Sequence, residues 1–156
     1  MKWIALPIAL ALASPVYAGE TPHTIVVKLF DAMRAGDGDA IRALVLPDAR
    51  LDRLQPDGTI GQGTFEQWAS WVDTLESGAA DEQIFSVQTL SLSAELATVW
   101  APFVVSLNGD VKGCGVNQFT LAKSNDGWRI LYGIDMPTKE DCGAYRARME
   151  ADHAVQ

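Results

Sequence analysis

Residues 111–136, VKGCGVNQFTLAKSNDGWRILYGIDM, carry the pattern that decides the fold. Apolar and polar residues alternate on both sides of 124–127, a cluster of turn-forming residues, as is typical of two antiparallel strands joined by a tight loop. A four-residue loop at 124–127 sets the pairing of the two strands. It places Leu121 opposite Ile130, Phe119 opposite Tyr132, and Asn117 opposite Ile134.

This pairing predicts one apolar face, completed by Trp128, that helices would cover. Asn117 then points inward and needs hydrogen-bond partners, because an unpaired buried amide is costly. Asp135 falls on the opposite face. The assignment depends on the register, since a slip of one residue would exchange these two orientations.

The rest of the chain places helices before strands. Thr21-Pro22 is typical of a helix start, a second short helix follows Gly36, and Thr64 with Gln67 predicts a capping box that opens a third helix. Strands are then predicted at 84–92 and 96–107, with Asn108-Gly109 as a hairpin turn. The order predicts an α+β fold: a strongly curved antiparallel sheet, a cone-like roll, packed on about three N-terminal helices. The charged segment 139–156 is expected to be a tail, helical at most over 145–149.

The first 18 residues are typical of a cleavable secretory signal peptide. Lys2 precedes an apolar run of about eleven residues, too short to span a bilayer, and Val16-Tyr17-Ala18 has the small-x-small cleavage pattern. The sequence therefore predicts a periplasmic or secreted protein with one domain at 19–142 and a C-terminal tail at 143–156.

The charge excludes two classes of partner. The chain has a formal net charge of −8, and removal of the signal with Lys2 leaves −9. An acidic surface without a basic cluster repels nucleic acid and anionic lipid. We therefore predict no nucleic-acid partner and no membrane contact after cleavage.

Cys114 and Cys142 are the only two cysteines, and both lie in the exported part. An even pair in an oxidising compartment predicts a disulfide. The alternative is a reactive thiol at Cys114, which would need a base or cation nearby. His23 and His153 are remote in sequence and lack metal-ligand spacing, so we predict no metal site and no cofactor.

The sequence resembles exported bacterial members of the nuclear transport factor 2-like superfamily. The resemblance is carried by Val-Trp-Ala-Pro at 99–102, by Cys-Gly-Val-Asn at 114–117 and by Gly-Trp-Arg-Ile at 127–130. Similar members have His before the first Cys and an Asp-Thr-Arg run late in the last strand. Here Gly113 replaces the His, and Asp135 alone is kept. An activity that needed the missing His and Arg would be absent.

The resemblance implies a cone with a pocket at its open end, in a superfamily that includes ketosteroid isomerases, polyketide-cyclase-like enzymes, dehydratases and non-catalytic binding modules. Asn117 and Tyr132 are candidate donors inside the cone, no catalytic base is evident, and Asp52 or Arg53 would have to supply charge. The predicted pocket residues are Trp68, Trp100, Asn117, Phe119 and Tyr132.

Three functions stay open at this stage. The first is non-catalytic binding of a small apolar ligand in the cone. The second is an isomerase, dehydratase or cyclase type of enzyme that uses the same pocket. The third is a homodimerising interaction module with a filled core. An outward apolar face would serve the third function, and the residues proposed for it are Val99, Phe103, Val105 and Leu107.

Overall fold

The computed structural model describes residues 19–155, so the predicted signal peptide lies outside the described residues. Three of the four helices lie in the first half of the chain and five of the seven strands follow them without an intervening helix, which confirms the α+β class. No helix within 19–155 combines the length and the apolar character needed to cross a membrane. The elements in chain order are α1 (Pro22–Ala35), α2 (Gly38–Leu44), β1 (Val45–Leu54), β2 (Ile60–Gly61), α3 (Phe65–Val72), β3 (Ala80–Ile84), β4 (Gln88–Ser91), β5 (Leu96–Leu107), β6 (Asp110–Ser124), β7 (Gly127–Pro137) and α4 (Cys142–His153).

Helices α1 and α3 begin where the sequence predicts. Thr21 caps α1 and Thr64 caps α3, each as a capping box in which the side chain accepts from the backbone N–H three residues later. Gly36 ends α1 with φ 74°, a left-handed conformation that glycine adopts at low cost. The helix starts and stops are therefore local properties of the sequence.

The seven strands form one open sheet in the order β2-β1-β7-β6-β5-β3, with β4 also paired to β5. The sheet is mixed, because β1 runs parallel to β7, whereas the sequence predicted antiparallel pairing throughout. The predicted strand at 84–92 is divided into β3 and β4. Between them Ser86 has φ 47°, and each strand pairs with a different half of β5.

Helices α1, α2 and α3 cover one face of the sheet, here called the inner face, and enclose the main hydrophobic core. Val99, Val105 and Leu107 pack in or against this core, and Phe103 is 4% exposed. The prediction that these four residues form an outward apolar face is therefore wrong. Side chains alternate between the two faces along β5, and these four residues are on the face opposite to the predicted one. A homodimer stays a prediction.

A β-bulge separates the observed β6–β7 register from the predicted one. Leu121 pairs with Ile130 as predicted, but Thr120 pairs with Tyr132, so Leu131 is an extra residue on β7. Beyond the bulge every β7 side chain is on the face opposite to the predicted one. Asn117 pairs with Asp135, and both are buried on the inner face.

Helix α4 packs on the other face of the sheet, here called the outer face. Tyr145 and Met149 of α4 are buried there, and the Tyr145 hydroxyl donates to the Gly115 carbonyl at 2.8 Å. The predicted disulfide is confirmed, since Cys142 at the start of α4 is bonded to Cys114 of β6. The helix is longer than the sequence predicted, because its few apolar residues gain a partner surface only in the folded protein.

Candidate functional site

A row of polar side chains crosses the inner face of the sheet. Arg53 of β1 opposes Asp135 of β7, which opposes Asn117 of β6. The Nε atom of Arg53 donates to both carboxylate oxygens of Asp135, at 2.8 and 3.0 Å, and its Nη2 atom donates as well. The ion pair is bidentate, and its carboxylate is buried while the guanidinium is more than half exposed.

Glu82 of β3 completes the row. Asn117 opposes the small residue Ala101 on β5, and its Nδ2 atom reaches past β5 to donate to Glu82 Oε1 at 2.7 Å. Burial raises the pKa of the Glu82 carboxyl to about 7, and the negative charge of Asp135 adds to the rise. The hydrogen bond from Asn117 and the charge of Arg53 oppose it. Glu82 can therefore gain or lose a proton near neutral pH.

Four aromatic rings form the wall opposite this row. Phe30 of α1, Phe65 and Trp68 of α3, and Phe119 of β6 make a closed circuit in which each ring contacts two others, with centroids 6.0–6.4 Å apart. Such tilted and edge-on contacts are favourable beyond the area they bury. They fix the wall in one arrangement.

The polar row and the aromatic wall enclose a cavity of about 320 Å³, here called the cone cavity. Arg53, Glu82, Asn117 and Asp135 line it together with all four rings of the aromatic wall. The segment 61–63 lies at its edge. The cavity is of the size and mixed lining found in sites for small molecules. The filled core of the third alternative is therefore not observed, and the homodimer attached to it stays a prediction.

The structure brings together three of the five predicted pocket residues. Trp68, Asn117 and Phe119 line the cone cavity. Trp100 does not, because it lies on the outer face and packs against the cluster of Cys114, Tyr145 and Met149. Tyr132 also lies elsewhere. The bulge turns it to the outer face, where its hydroxyl donates to Asp52 Oδ2 at 3.2 Å. The predicted pocket positions of Trp100 and Tyr132 are therefore wrong.

Asp52 and Arg53, the two charged candidates of the early segment, point to opposite faces. The Asp52 carboxylate accepts from Arg50 at 2.8 Å, from the Gly63 backbone N–H at 3.1 Å and from Tyr132. The hydrogen bond from Arg50 is the main reason that the pKa of Asp52 is lowered, with contributions from Gly63 and Tyr132 that burial opposes. Although Asp52 borders the cavity, its carboxylate is committed to holding the 61–63 segment against β1.

The comparison with known protein families identifies the chain. The sequence model of the family described as "Putative lumazine-binding" matches residues 23–133, which include nearly all of α1, the four aromatic rings and every member of the polar row except Asp135. The chain belongs to this family. No curated protein matches the sequence.

Solved structures share the fold of this lumazine-binding-family chain. It is similar to a "Putative Scytalone Dehydratase" from Novosphingobium aromaticivorans, with 12% identity, 74% of this chain and 80% of that chain covered, and a TM-score of 0.60. It is also similar to a "putative dehydratase from the NTF2-like family" from Streptomyces avermitilis, with 15% identity, 76% and 94% coverage, and a TM-score of 0.59. A protein of unknown function from Mycobacterium tuberculosis matches with 16% identity, 85% and 92% coverage, and a TM-score of 0.60. These likenesses confirm the nuclear transport factor 2-like fold.

Sequence reasoning missed the polar row in this family member. Glu82 was not singled out, because a lone carboxylate at the start of a strand has no distinguishing pattern. Asp135 was assigned to the wrong face, and Arg53 was named only as a source of charge. Within residues 19–155, no group of three His, Cys, Asp or Glu side chains could hold a metal ion. The one signal for the row was Asn117, an amide that the alternation placed inside.

Proposed function

We propose that the cone cavity binds one small, flat, largely apolar ligand whose polar edge meets Arg53, Glu82 and Asn117. The observation that carries this proposal is that four packed aromatic rings and a row of polar side chains line the same cavity. Aromatic walls favour planar ring systems. The volume of about 320 Å³ is at the small end of ligand sites, which limits the ligand to about two fused rings.

The family description supports the same ligand class. Lumazine is a flat two-ring pteridine with hydrogen-bonding N–H and C=O groups along one edge. Asn117 retains a side-chain oxygen that can accept, Arg53 can donate, and Glu82 can do either according to its protonation. A site with a few well-placed polar groups in an apolar cavity gains specificity from those groups. The confirmed disulfide supports a place of action outside the cytoplasm.

Lumazine is the probe for this proposal, with binding measured by calorimetry. Arg53→Met removes a charged donor from the cavity, and Arg50→Met is the matched control. Arg50 is three positions away on β1, and its side chain bonds Asp52 on the outer face, so its replacement removes the same charge without touching the cavity-lining arginine. We expect Arg53→Met to weaken lumazine binding about tenfold or more, as loss of a charge-assisted hydrogen bond does. Arg50→Met should leave the affinity within about twofold.

Two results would overturn the binding proposal. One is equal weakening by both arginine variants, which would mean that only the net charge matters. The other is the absence of binding by lumazine and by 2-naphthol, a flat two-ring probe with a single polar group. A cavity that accepts neither compound is not a site for flat two-ring ligands.

Proton-transfer catalysis is the second candidate, favoured by the position of Glu82. A base works best when its pKa is near the working pH, and this carboxyl lines the cavity with a pKa of about 7. In such a reaction the Glu82 carboxylate would take a proton from a substrate carbon while Asn117 holds the carboxylate in place.

The Kemp elimination of 5-nitrobenzisoxazole tests this candidate, because it reports any base in an apolar cavity. The base removes the ring C–H proton, the N–O bond breaks, and a coloured phenolate forms. We expect a rate that rises with an inflection near pH 7 and is lost in Glu82→Gln. Glu76→Gln, at an exposed position, should retain it. A rate that Glu82→Gln leaves unchanged would rule out catalysis by this residue.

A further inference from the structure

A second cavity lies on the far side of Phe30 and Glu82 from the cone cavity. Its volume is about 400 Å³, and it is lined by residues of α1 and β3 and by Arg146 of α4. Phe30 and Glu82 line both cavities, so these two side chains form the partition between them. We call the second one the side cavity. Its apolar wall is formed by Val27, Phe30 and Ile84, and it contains two arginines, Arg34 and Arg146.

The charge of Arg34 is already balanced. Its Nε atom donates to Asp81 Oδ1 at 2.7 Å, and its Nη1 atom donates to Asp31 Oδ1 at 2.8 Å. These bonds tie α1 to β3 and leave Arg34 with two carboxylate partners. Arg34 therefore stabilises the wall of the side cavity and adds no net positive charge to it.

Arg146 of α4 is different. Its guanidinium stacks on the Phe85 ring at 4.6 Å and donates one hydrogen bond, from Nη2 to Gln83 Oε1 at 3.2 Å. Within residues 19–155, no carboxylate lies within ion-pair distance of it, and its buried Nε–H has no acceptor. A guanidinium has five N–H donors, and a buried donor that makes no hydrogen bond costs free energy. Phe85 and Gln83 thus hold a cation in place with donors to spare.

We propose that the side cavity binds an aliphatic monocarboxylate, with its carboxylate on Arg146 and its chain along Val27, Phe30 and Ile84. The planar fork of an arginine matches the two oxygens of a carboxylate. Asp31 and Glu82 border the same cavity and would repel a dianion, which favours a singly charged ligand over a phosphate ester. This site is separate from the cone cavity, and its proposal does not rest on the ligand proposed there.

Hexanoate and hexan-1-ol are the matched probes, since they have the same chain length and differ in charge. Binding of each is measured by calorimetry to the full chain and to Arg146→Gln. Arg148→Gln is the control variant. Arg148 lies two positions later on α4, and its partners are Glu140 and Asp152. We expect hexanoate to bind at least about tenfold more tightly than hexan-1-ol, as a charged pair allows. Arg146→Gln should abolish this preference, and Arg148→Gln should keep it.

Val27→Trp provides a second variant that leaves Arg146 in place. Val27 is on α1 and is 36% exposed, so a larger side chain there fills the side cavity without entering the main core. We expect it to abolish hexanoate binding while lumazine binding in the cone cavity is kept. This pair of readouts separates failure of the side-cavity proposal from failure of the proposed function.

Arg53→Met shows which cavity the hexanoate occupies, and it should bind hexanoate as the unmodified chain does. Loss of hexanoate binding in Arg53→Met together with its retention in Arg146→Gln would place the carboxylate in the cone cavity and overturn the proposal. Equal affinities for hexanoate and hexan-1-ol in the unmodified chain would also overturn it.

Discussion

The protonation of Glu82 makes the stability of the protein depend on pH in a predictable direction. Its pKa rises from the usual 4.5 in the unfolded chain to about 7 in the folded protein. Between these two values the folded protein keeps a proton that the unfolded chain releases. The free energy of unfolding therefore falls as the pH rises through this window, and below pH 4.5 the penalty is absent. The rise in pKa corresponds to about 3 kcal/mol above pH 7.

Glu82→Gln isolates this contribution. Glutamine has nearly the same shape, stays neutral, and keeps a side-chain oxygen that can accept from Asn117. We expect the variant to be more stable than the unmodified chain by up to about 3 kcal/mol at pH 8. The advantage should become small near pH 4.5, because there the carboxyl is neutral in the folded protein and only half ionised in the unfolded chain.

Urea unfolding at several pH values from 4.5 to 8 measures the effect as a difference between the two proteins. Taking the difference cancels the other titrating groups, which are common to both. Glu76→Gln, at an exposed position, serves as the control and should show no advantage that grows with pH. A stability difference that is the same at pH 5 and pH 8 would refute the argument that burial destabilises the Glu82 carboxylate.

Two further perturbations test the packing of β6 against α4 and against β7. Replacing both Cys114 and Cys142 by Ser should lower the free energy of unfolding by about 3–4 kcal/mol, as expected for a loop closed over a separation of 28 residues, and should speed amide exchange in α4 more than in α1. The two glycines beside Cys114 should differ. Gly115→Ala would press a Cβ against the Met136 carbonyl oxygen of β7 and cost about 1–3 kcal/mol, whereas Gly113→Ala has open space and should be close to neutral in thermal unfolding. Equal melting temperatures for the two glycine variants would contradict the packing described here.

Local signals predicted much of the fold. The capping boxes at Thr21 and Thr64, the left-handed stop at Gly36 and the Asn108-Gly109 turn are all present where the sequence indicated. These features depend on side chains within a few residues of one another, so the sequence contains their whole cause. The parallel pairing of β1 with β7 could not be predicted in this way, because it joins segments about 80 residues apart.

The candidate site was predicted less completely, because its residues meet from four strands. Asn117 was expected inside, and its need for a partner was inferred, but the partner is Glu82, 35 residues away. The periodicity of the sequence correctly predicted that Trp68 and Phe119 line the cavity. Trp100 points to the other face of the sheet, toward α4. Alternation gives the relative orientation of neighbours in a strand, and a long-range contact is needed to say which face is inside.

The sequence by itself determined the class of the fold, the pairing of its two cysteines and the hairpin between β6 and β7. Tertiary structure decided which side chains line the cavity. Leu131 enters β7 as an extra residue, and this one insertion turns Tyr132 outward and Asp135 inward, beside Arg53. A bulge costs little locally and reverses every side chain beyond it. The bulge seats Gly133 against Leu51, Phe65 and Phe119, which are contacts that no short stretch of sequence contains.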